Sequence, residues 1–143
     1  MTTATTTEAG GTPIRVVLLI GSNVDAEARM DAALAELRRG FVVIACSARH
    51  PSAASGVDGA PPYLNQAAVI EYDGDRARLK AELRAIEARL GRVRPSADPR
   101  LCPIDIDAIG RCDAEAEVWD EKAFAASYAR LPLAELGKFC TLP

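Results

Sequence analysis

The sequence predicts an α+β fold of the ferredoxin-like type, a split βαβ sandwich in which an antiparallel sheet carries helices on one face and a C-terminal extension follows. Strand-like and helix-like patterns occur in the order β-α-β and again β-α-β over residues 14–107. The chain has 143 residues, of which 49% are hydrophobic and 26% charged, and this suits one core of moderate size. We therefore expect one domain over residues 14–143, after a flexible tail at residues 1–13 that is rich in Thr and Ala.

The first βαβ unit consists of two apolar segments around an amphipathic one. Residues 14–20 are almost continuously apolar and β-branched, which predicts a strand buried on both faces. A helix should follow as far as about Arg39, capped by Asn23 or Asp25 and terminated by Gly40 in a left-handed conformation. Its apolar stripe comprises Met30, Ala33, Leu34 and Leu37. Residues 41–46 predict the second strand.

The second unit begins after a turn-rich segment, residues 47–62, which predicts a long loop. Residues 63–72 then predict a strand, and Asp75 can cap a second helix that ends at Gly91. The stripe of that helix comprises Leu79, Leu83, Ile86 and Leu90. The strict alternation of residues 104–107 predicts another strand, and residues 121–130 predict a helix with a weak apolar stripe.

Composition restricts the class of function. The net charge of −3 argues against a general nucleic-acid binder, but residues 76–100 hold eight basic residues against three acids and therefore indicate a bound anion. The longest apolar run, residues 16–20, is too short to span a membrane, and no secretory signal is recognisable, so we expect a cytoplasmic protein. No cysteines form a C-x-x-C pair, which argues against structural zinc and predicts free thiols.

Asp105 and Asp107 are the most informative pair of residues. At positions i and i+2 of a strand, their carboxylates leave the same face with stems roughly 6.5 Å apart, a spacing that suits Mg²⁺ and phosphate oxygens. From this pair alone, a solvated acidic strand is about equally plausible. Arg92 and Arg94 favour the metal, because arginines together with Mg²⁺ are what phosphoryl transfer requires.

Tyr63 and Asn65 lie on one face of the strand that follows the long loop. An aromatic ring beside a carboxamide can stack on a flat heterocycle and bond its polar edge, although core packing is the better explanation for Tyr63 when it is taken alone. The sequence has neither a P-loop nor a G-x-G-x-x-G motif, so a nucleotide would have to bind without them.

Four motifs occur in an order and at a spacing that resemble a known family: Gly21-Ser22-Asn23, Tyr63-Leu64-Asn65, Gly91-Arg92-Val93-Arg94 and Ile104-Asp105-Ile106-Asp107. The chain resembles the 6-hydroxymethyl-7,8-dihydropterin pyrophosphokinases of folate biosynthesis, which transfer a pyrophosphoryl group from ATP to the hydroxymethyl group of the pterin. The resemblance covers residues 16–109 and weakens in residues 119–136.

The resemblance implies a role for each matching residue. Two Mg²⁺ ions would bind Asp105 and Asp107. Arg92 and Arg94 would be catalytic, and the nucleotide would lie near Glu87, Arg92 and Arg100. The pterin would be held by Ser52, Tyr63, Asn65 and Tyr128. The implied partners are small molecules, ATP and a hydroxymethyl pterin, with no nucleic acid or membrane, and the chain would be a monomer or a weak homodimer.

The sequence also departs from the family pattern. Asp98 and Cys102 stand where the family has arginines, Trp119-Asp120 replaces a Pro-His pair, and Ala126 replaces a further arginine. Each lost contact to a reacting phosphate could cost a few kcal/mol at the transition state. Two alternatives therefore stay open: a diverged paralogue that binds pterin or nucleotide with weak or no catalysis, and a non-catalytic ligand-binding module of ferredoxin-like fold.

Overall fold

The computed structural model describes residues 12–54 and 58–143, and its centre is a six-stranded antiparallel sheet. The strands are β1 (Ile14–Ser22), β2 (Val42–Cys46), β3 (His50–Ser52), β4 (Tyr63–Tyr72), β5 (Asp105–Arg111) and β6 (Glu117–Val118). Their order is β2-β4-β1-β5-β6, and β3 pairs with β4. The four longer strands therefore follow the ferredoxin-like order, which confirms the predicted fold class.

Two helices cover the first face of the sheet, α1 (Ala26–Gly40) and α2 (Arg76–Arg89). The predicted stripe of α1 is buried, and it packs with that of α2 against alternate residues of β1, which are Val16, Leu18 and Ile20. Burial of these apolar side chains is the main force that holds the helices on the sheet.

The C-terminal extension covers the second face of the sheet. It contains α3 (Glu121–Ala125), a 3₁₀ helix (Ser127–Ala129) and α4 (Arg130–Leu136). Leu133 and Leu136 pack against Val17, Leu19 and Val69, the residues of β1 and β4 that point away from α1 and α2. This second layer explains why β1 is apolar at almost every position, since the whole run Val16–Ile20 is at most 7% exposed.

Four local predictions need correction. Gly40 lies within α1, and the helix ends on Phe41 in an extended conformation. Neither Asn23 nor Asp25 caps α1: Asp25 occupies the N-cap position without a side-chain hydrogen bond, and Asn23 is engaged elsewhere. The predicted helix over 121–130 is divided into α3 and the 3₁₀ helix, because Ala126 adopts an extended backbone conformation. The predicted loop over 47–62 contains β3.

Other local predictions are confirmed. The Asp75 side chain accepts a hydrogen bond from the Arg78 amide and caps α2, and Gly91 follows α2 with a positive φ of 104°. The predicted tail at residues 1–13 lies almost entirely outside the described residues. Within residues 12–54 and 58–143, no helix is both long and apolar enough to cross a membrane.

Candidate active site

The candidate site lies at one end of the sheet, where β1, β4 and β5 run side by side. Gly21 of β1 is paired with Asn65 of β4 on one side and with Asp105 of β5 on the other. Directly opposed residues of neighbouring strands share a face of the sheet. This register therefore brings Asn65, predicted to bind the pterin, and Asp105, predicted to bind the metal, to the same face of the sheet with β1 between them.

Asp105 and Asp107 form an acidic pair on one face of β5. Desolvation in the concave site, followed by the charge of Asp105, raises the pKa of Asp107 to about 7. Two carboxylates that leave the same strand face at positions i and i+2 repel each other when both are ionised, so the pair favours a bound cation.

Arg92 and Arg94 approach the acidic pair from the segment after α2. The Arg92 guanidinium donates to the Ile104 carbonyl at 2.9 Å and lies 3.4 Å from the nearer Asp105 oxygen. Arg94 donates to Glu87 at 2.8 Å, and the other Glu87 oxygen accepts from the Ile106 amide at 2.7 Å. Glu87 is only 2% exposed, so this buried carboxylate joins α2 and the Arg94 loop to the strand that carries the aspartates.

A smaller cavity of about 330 Å³ brings together the four residues that the sequence assigns to the pterin, which are Ser52, Tyr63, Asn65 and Tyr128. The buried Asn65 side chain donates from its nitrogen to the Ser52 hydroxyl at 2.8 Å and to the His50 carbonyl at 3.1 Å. Desolvation raises the pKa of Tyr63 to about 12, so its hydroxyl stays protonated. The cavity therefore offers aromatic rings beside a fixed amide.

A larger cavity of about 1050 Å³ runs along the exposed edge of β5, between α2 and residues 118–122. Its lining is rich in cationic side chains, which are Arg76, Lys80, Arg84, Arg94 and Lys122. The indole of Trp119 lies in the same wall, with the Arg76 guanidinium carbon 4.5 Å from the ring centroid. Four residues line both cavities, namely Asp105, Asp107, Asp120 and Lys122, and we call these four the shared wall.

A family model described as 7,8-dihydro-6-hydroxymethylpterin-pyrophosphokinase (HPPK) matches residues 17–138, from β1 to just beyond α4. The chain belongs to this family. Membership of the HPPK family identifies it as a pyrophosphokinase of folate synthesis, and the family in general uses ATP with Mg²⁺. A search of curated proteins finds no match to the chain.

The acidic pair fits the Mg²⁺ that HPPK family members use. Mg²⁺ needs only one or two carboxylates, because water and substrate phosphates complete its octahedral shell. Among the described residues there is no cluster of three His, Cys, Asp or Glu side chains arranged to hold a metal by itself. A site of two carboxylates open to a large cavity therefore suits an ion that arrives with a phosphate-bearing substrate.

Arg100, to which the sequence assigns the nucleotide, lines neither cavity in this HPPK family member. Its guanidinium forms two hydrogen bonds to Asp98 within the same loop, at 3.0 and 2.9 Å. The backbone of that loop is fixed by Asn23, whose side chain accepts from the Cys102 amide at 2.6 Å and donates to the Arg100 carbonyl at 2.8 Å. Asn23 therefore positions the loop that precedes Asp105.

Sequence reasoning missed three residues of the site. Asn23 was assigned to helix capping because Asn commonly has that role next to a predicted helix. Asp120 was noted only as a departure from the family pattern, and Lys122 belongs to no motif. The only sequence signal in this segment is Trp119-Asp120, which replaces the Pro-His pair of the family pattern.

Proposed function

We propose that this chain transfers a pyrophosphoryl group from ATP to the hydroxymethyl oxygen of 6-hydroxymethyl-7,8-dihydropterin and depends on Mg²⁺. One observation carries the proposal: a cavity of about 330 Å³ and one of about 1050 Å³ meet at a wall that contains Asp105 and Asp107. The smaller volume suits a bicyclic heterocycle, and the larger one suits a nucleoside triphosphate. A common wall lets the hydroxyl of one ligand face the phosphates of the other.

The residues of the smaller cavity hold the pterin. Tyr63 and Tyr128 provide aromatic surfaces for its ring, and Asn65 with Ser52 bonds its polar edge. Because the hydrogen bonds to Ser52 and His50 hold the Asn65 amide in place before substrate arrives, little side-chain entropy is lost on binding.

The residues around the larger cavity hold the nucleotide. Arg94 and Glu87 line this cavity, and Arg94 supplies a cationic group for the phosphates. Arg92 lines neither cavity and would reach the phosphates from its position beside Asp105, and Arg100 would join them by releasing Asp98. Asp105 and Asp107 bind two Mg²⁺ ions. When bound, Mg²⁺ neutralises charge on the phosphate oxygens and polarises the β-phosphorus.

The reaction is a displacement at the β-phosphorus of ATP. The pterin hydroxyl oxygen forms a bond to that phosphorus, the bond from it to the oxygen that bridges to the α-phosphorus breaks, and AMP leaves with the bridging oxygen. The hydroxyl proton passes to water. Three carboxylates line the smaller cavity, Asp105, Asp107 and Asp120, and two of them are the proposed metal ligands. A reaction driven by positioning and charge neutralisation does not require any of them to act as a strong general base.

One observation favours the alternative of ligand binding without catalysis. Arg92, Arg94 and Arg100 all have carboxylate partners, so each must exchange a carboxylate for a phosphate before it can act. If that exchange does not occur, the chain binds pterin or nucleotide and releases no AMP. We also propose a cytoplasmic protein with small-molecule partners, and sedimentation velocity will distinguish a monomer from a weak homodimer.

The test is AMP formation from ATP and 6-hydroxymethyl-7,8-dihydropterin, with Mg²⁺ and with excess chelator. We expect turnover only with both substrates and Mg²⁺, and at least a 100-fold loss for Asp107→Asn, because the loss of one ligand weakens the metal and the transition state together. Asp73→Asn is the matched control, since this exposed residue lies at the other end of β4. Absence of turnover with intact ligand binding would instead support the alternative.

A further inference from the structure

The shared wall contains three carboxylates and one cation. Asp105, Asp107 and Asp120 are the acids, and Lys122 is the only basic residue among the described residues that lines both cavities. A phosphate that moves from one cavity to the other has to pass this wall. The acids alone would repel it, so the position of Lys122 bears directly on the transfer.

Lys122 also differs from the arginines in its contacts. Arg92 is held by the Ile104 carbonyl and Asp105, and Arg94 by Glu87. Within residues 12–54 and 58–143, the Lys122 ammonium has no carboxylate partner within 4.0 Å. It therefore needs no exchange of partners before it meets a phosphate.

The backbone that carries Lys122 is fixed next to the wall. Asp120 caps α3 by accepting from the Ala123 amide at 3.1 Å, and Ala123 and Phe124 pack into the apolar cluster under the second face. The Lys122 stem extends from this anchored turn, and the residue is exposed. Lysine has a flexible four-carbon stem and three donors, so it can follow a phosphoryl group as the group moves.

We propose that Lys122 is a catalytic residue that contacts the oxygens of the pyrophosphoryl group while it passes from ATP to the pterin. This inference rests on the proposed function, because it assigns a residue to that reaction. The contact is strongest where the β-phosphorus lies between the two cavities and charge accumulates on its equatorial oxygens. Lys122 therefore acts on turnover more than on the binding of either substrate.

The test compares Lys122→Ala, Lys122→Arg and Lys138→Ala, the last as a matched control because Lys138 lines neither cavity. We expect Lys122→Ala to lower kcat about 30- to 300-fold, as for the loss of one transition-state donor, and to change KM for ATP less than about 3-fold. Lys122→Arg should recover part of the loss, and Lys138→Ala should match the wild type.

ATP binding is measured separately through the fluorescence of Trp119, which is the only tryptophan and lines the larger cavity. Lys122→Ala should leave that affinity within about 3-fold of the wild-type value if Lys122 acts mainly in the transition state. Two results for Lys122→Ala would overturn the inference about Lys122 but not the proposed function: a kcat close to that of the wild type, or a loss of ATP affinity equal to the loss of kcat. A wild-type chain without turnover overturns the proposed function as well.

Discussion

Glu87 provides the sharpest test of how the site is assembled. Its carboxylate is 2% exposed and has two charge-assisted contacts, to the Ile106 amide at 2.7 Å and to the Arg94 guanidinium at 2.8 Å. Glu87→Ala would leave a buried amide of the catalytic strand without a partner and release Arg94 from α2. We therefore expect both stability and activity to fall.

The magnitude follows from the two contacts taken separately. A hydrogen bond from a buried amide to a charged acceptor is worth about 1.5 to 3 kcal/mol. The pair with Arg94 adds at most about 1 kcal/mol, because the arginine side chain is 45% exposed. Glu87→Ala should therefore lower the free energy of unfolding by about 2 to 4 kcal/mol. Glu87→Gln keeps an oxygen for Ile106 and should cost about half as much.

The assay is urea unfolding at pH 7, followed by circular dichroism, with AMP formation measured in parallel. Glu115→Ala is the control: the Glu115 side chain is 76% exposed, and its substitution should change the free energy of unfolding by less than about 0.5 kcal/mol. A loss below about 0.5 kcal/mol for Glu87→Ala would refute the idea that this carboxylate joins α2 to β5.

Three other substitutions test separate parts of the structure. Asn23→Ala removes the side-chain amide that fixes the loop at residues 98–103. It should raise KM for ATP several-fold and lower the free energy of unfolding by about 1 to 3 kcal/mol. If the protease sensitivity of that loop does not change, Asn23 does not fix the loop. Glu135→Gln tests how stability depends on pH. The pKa of Glu135 is lowered mainly because its carboxylate accepts a hydrogen bond from the Ala48 amide. The Glu135 carboxylate therefore contributes stability above about pH 4.5, and this contribution is lost as the pH falls through the lowered pKa. The Tm difference between wild type and Glu135→Gln should shrink in acid. A Tm difference that does not change with pH would refute this role of Glu135. Gly110→Ala places a Cβ 2.5 Å from a backbone oxygen of β6 and should cost about 1 to 3 kcal/mol, measured by thermal unfolding, and an unchanged Tm would show that β6 shifts freely.

The fold could be predicted because its signals are local. The continuous apolar run of β1, the stripe of α2 and the alternation at residues 104–107 each follow from side-chain periodicity within one element. The errors lie where a distant partner decides the outcome. Asn23 is a residue type that commonly caps helices, but its side chain accepts a hydrogen bond from the Cys102 amide. No local sequence pattern shows that Cys102 lies next to Asn23 in the fold.

The acidic and aromatic residues of the candidate site could be predicted from the sequence, but which of its basic residues form ion pairs could not. Asp105 and Asn65 come together because strand register follows from the fold. Whether an arginine is free or paired depends on the carboxylates that the fold places within reach, as with Arg94 and Glu87. Lys122 lies in a short helix without periodicity, so only the cavities reveal it.

Because the sheet is covered on both faces, each cavity takes part of its wall from a different layer of the chain. The larger cavity takes much of its wall from α2, which packs on the first face, whereas Tyr128 reaches the smaller cavity from the 3₁₀ helix on the second face. The α2 wall and the Tyr128 wall can therefore diverge independently, whereas Asp105 and Asp107 of β5 and Asp120 and Lys122 of the C-terminal extension are common to both cavities. If the proposed function is correct, a substitution at Tyr128 would change the choice of heterocycle while leaving the α2 wall of the larger cavity intact.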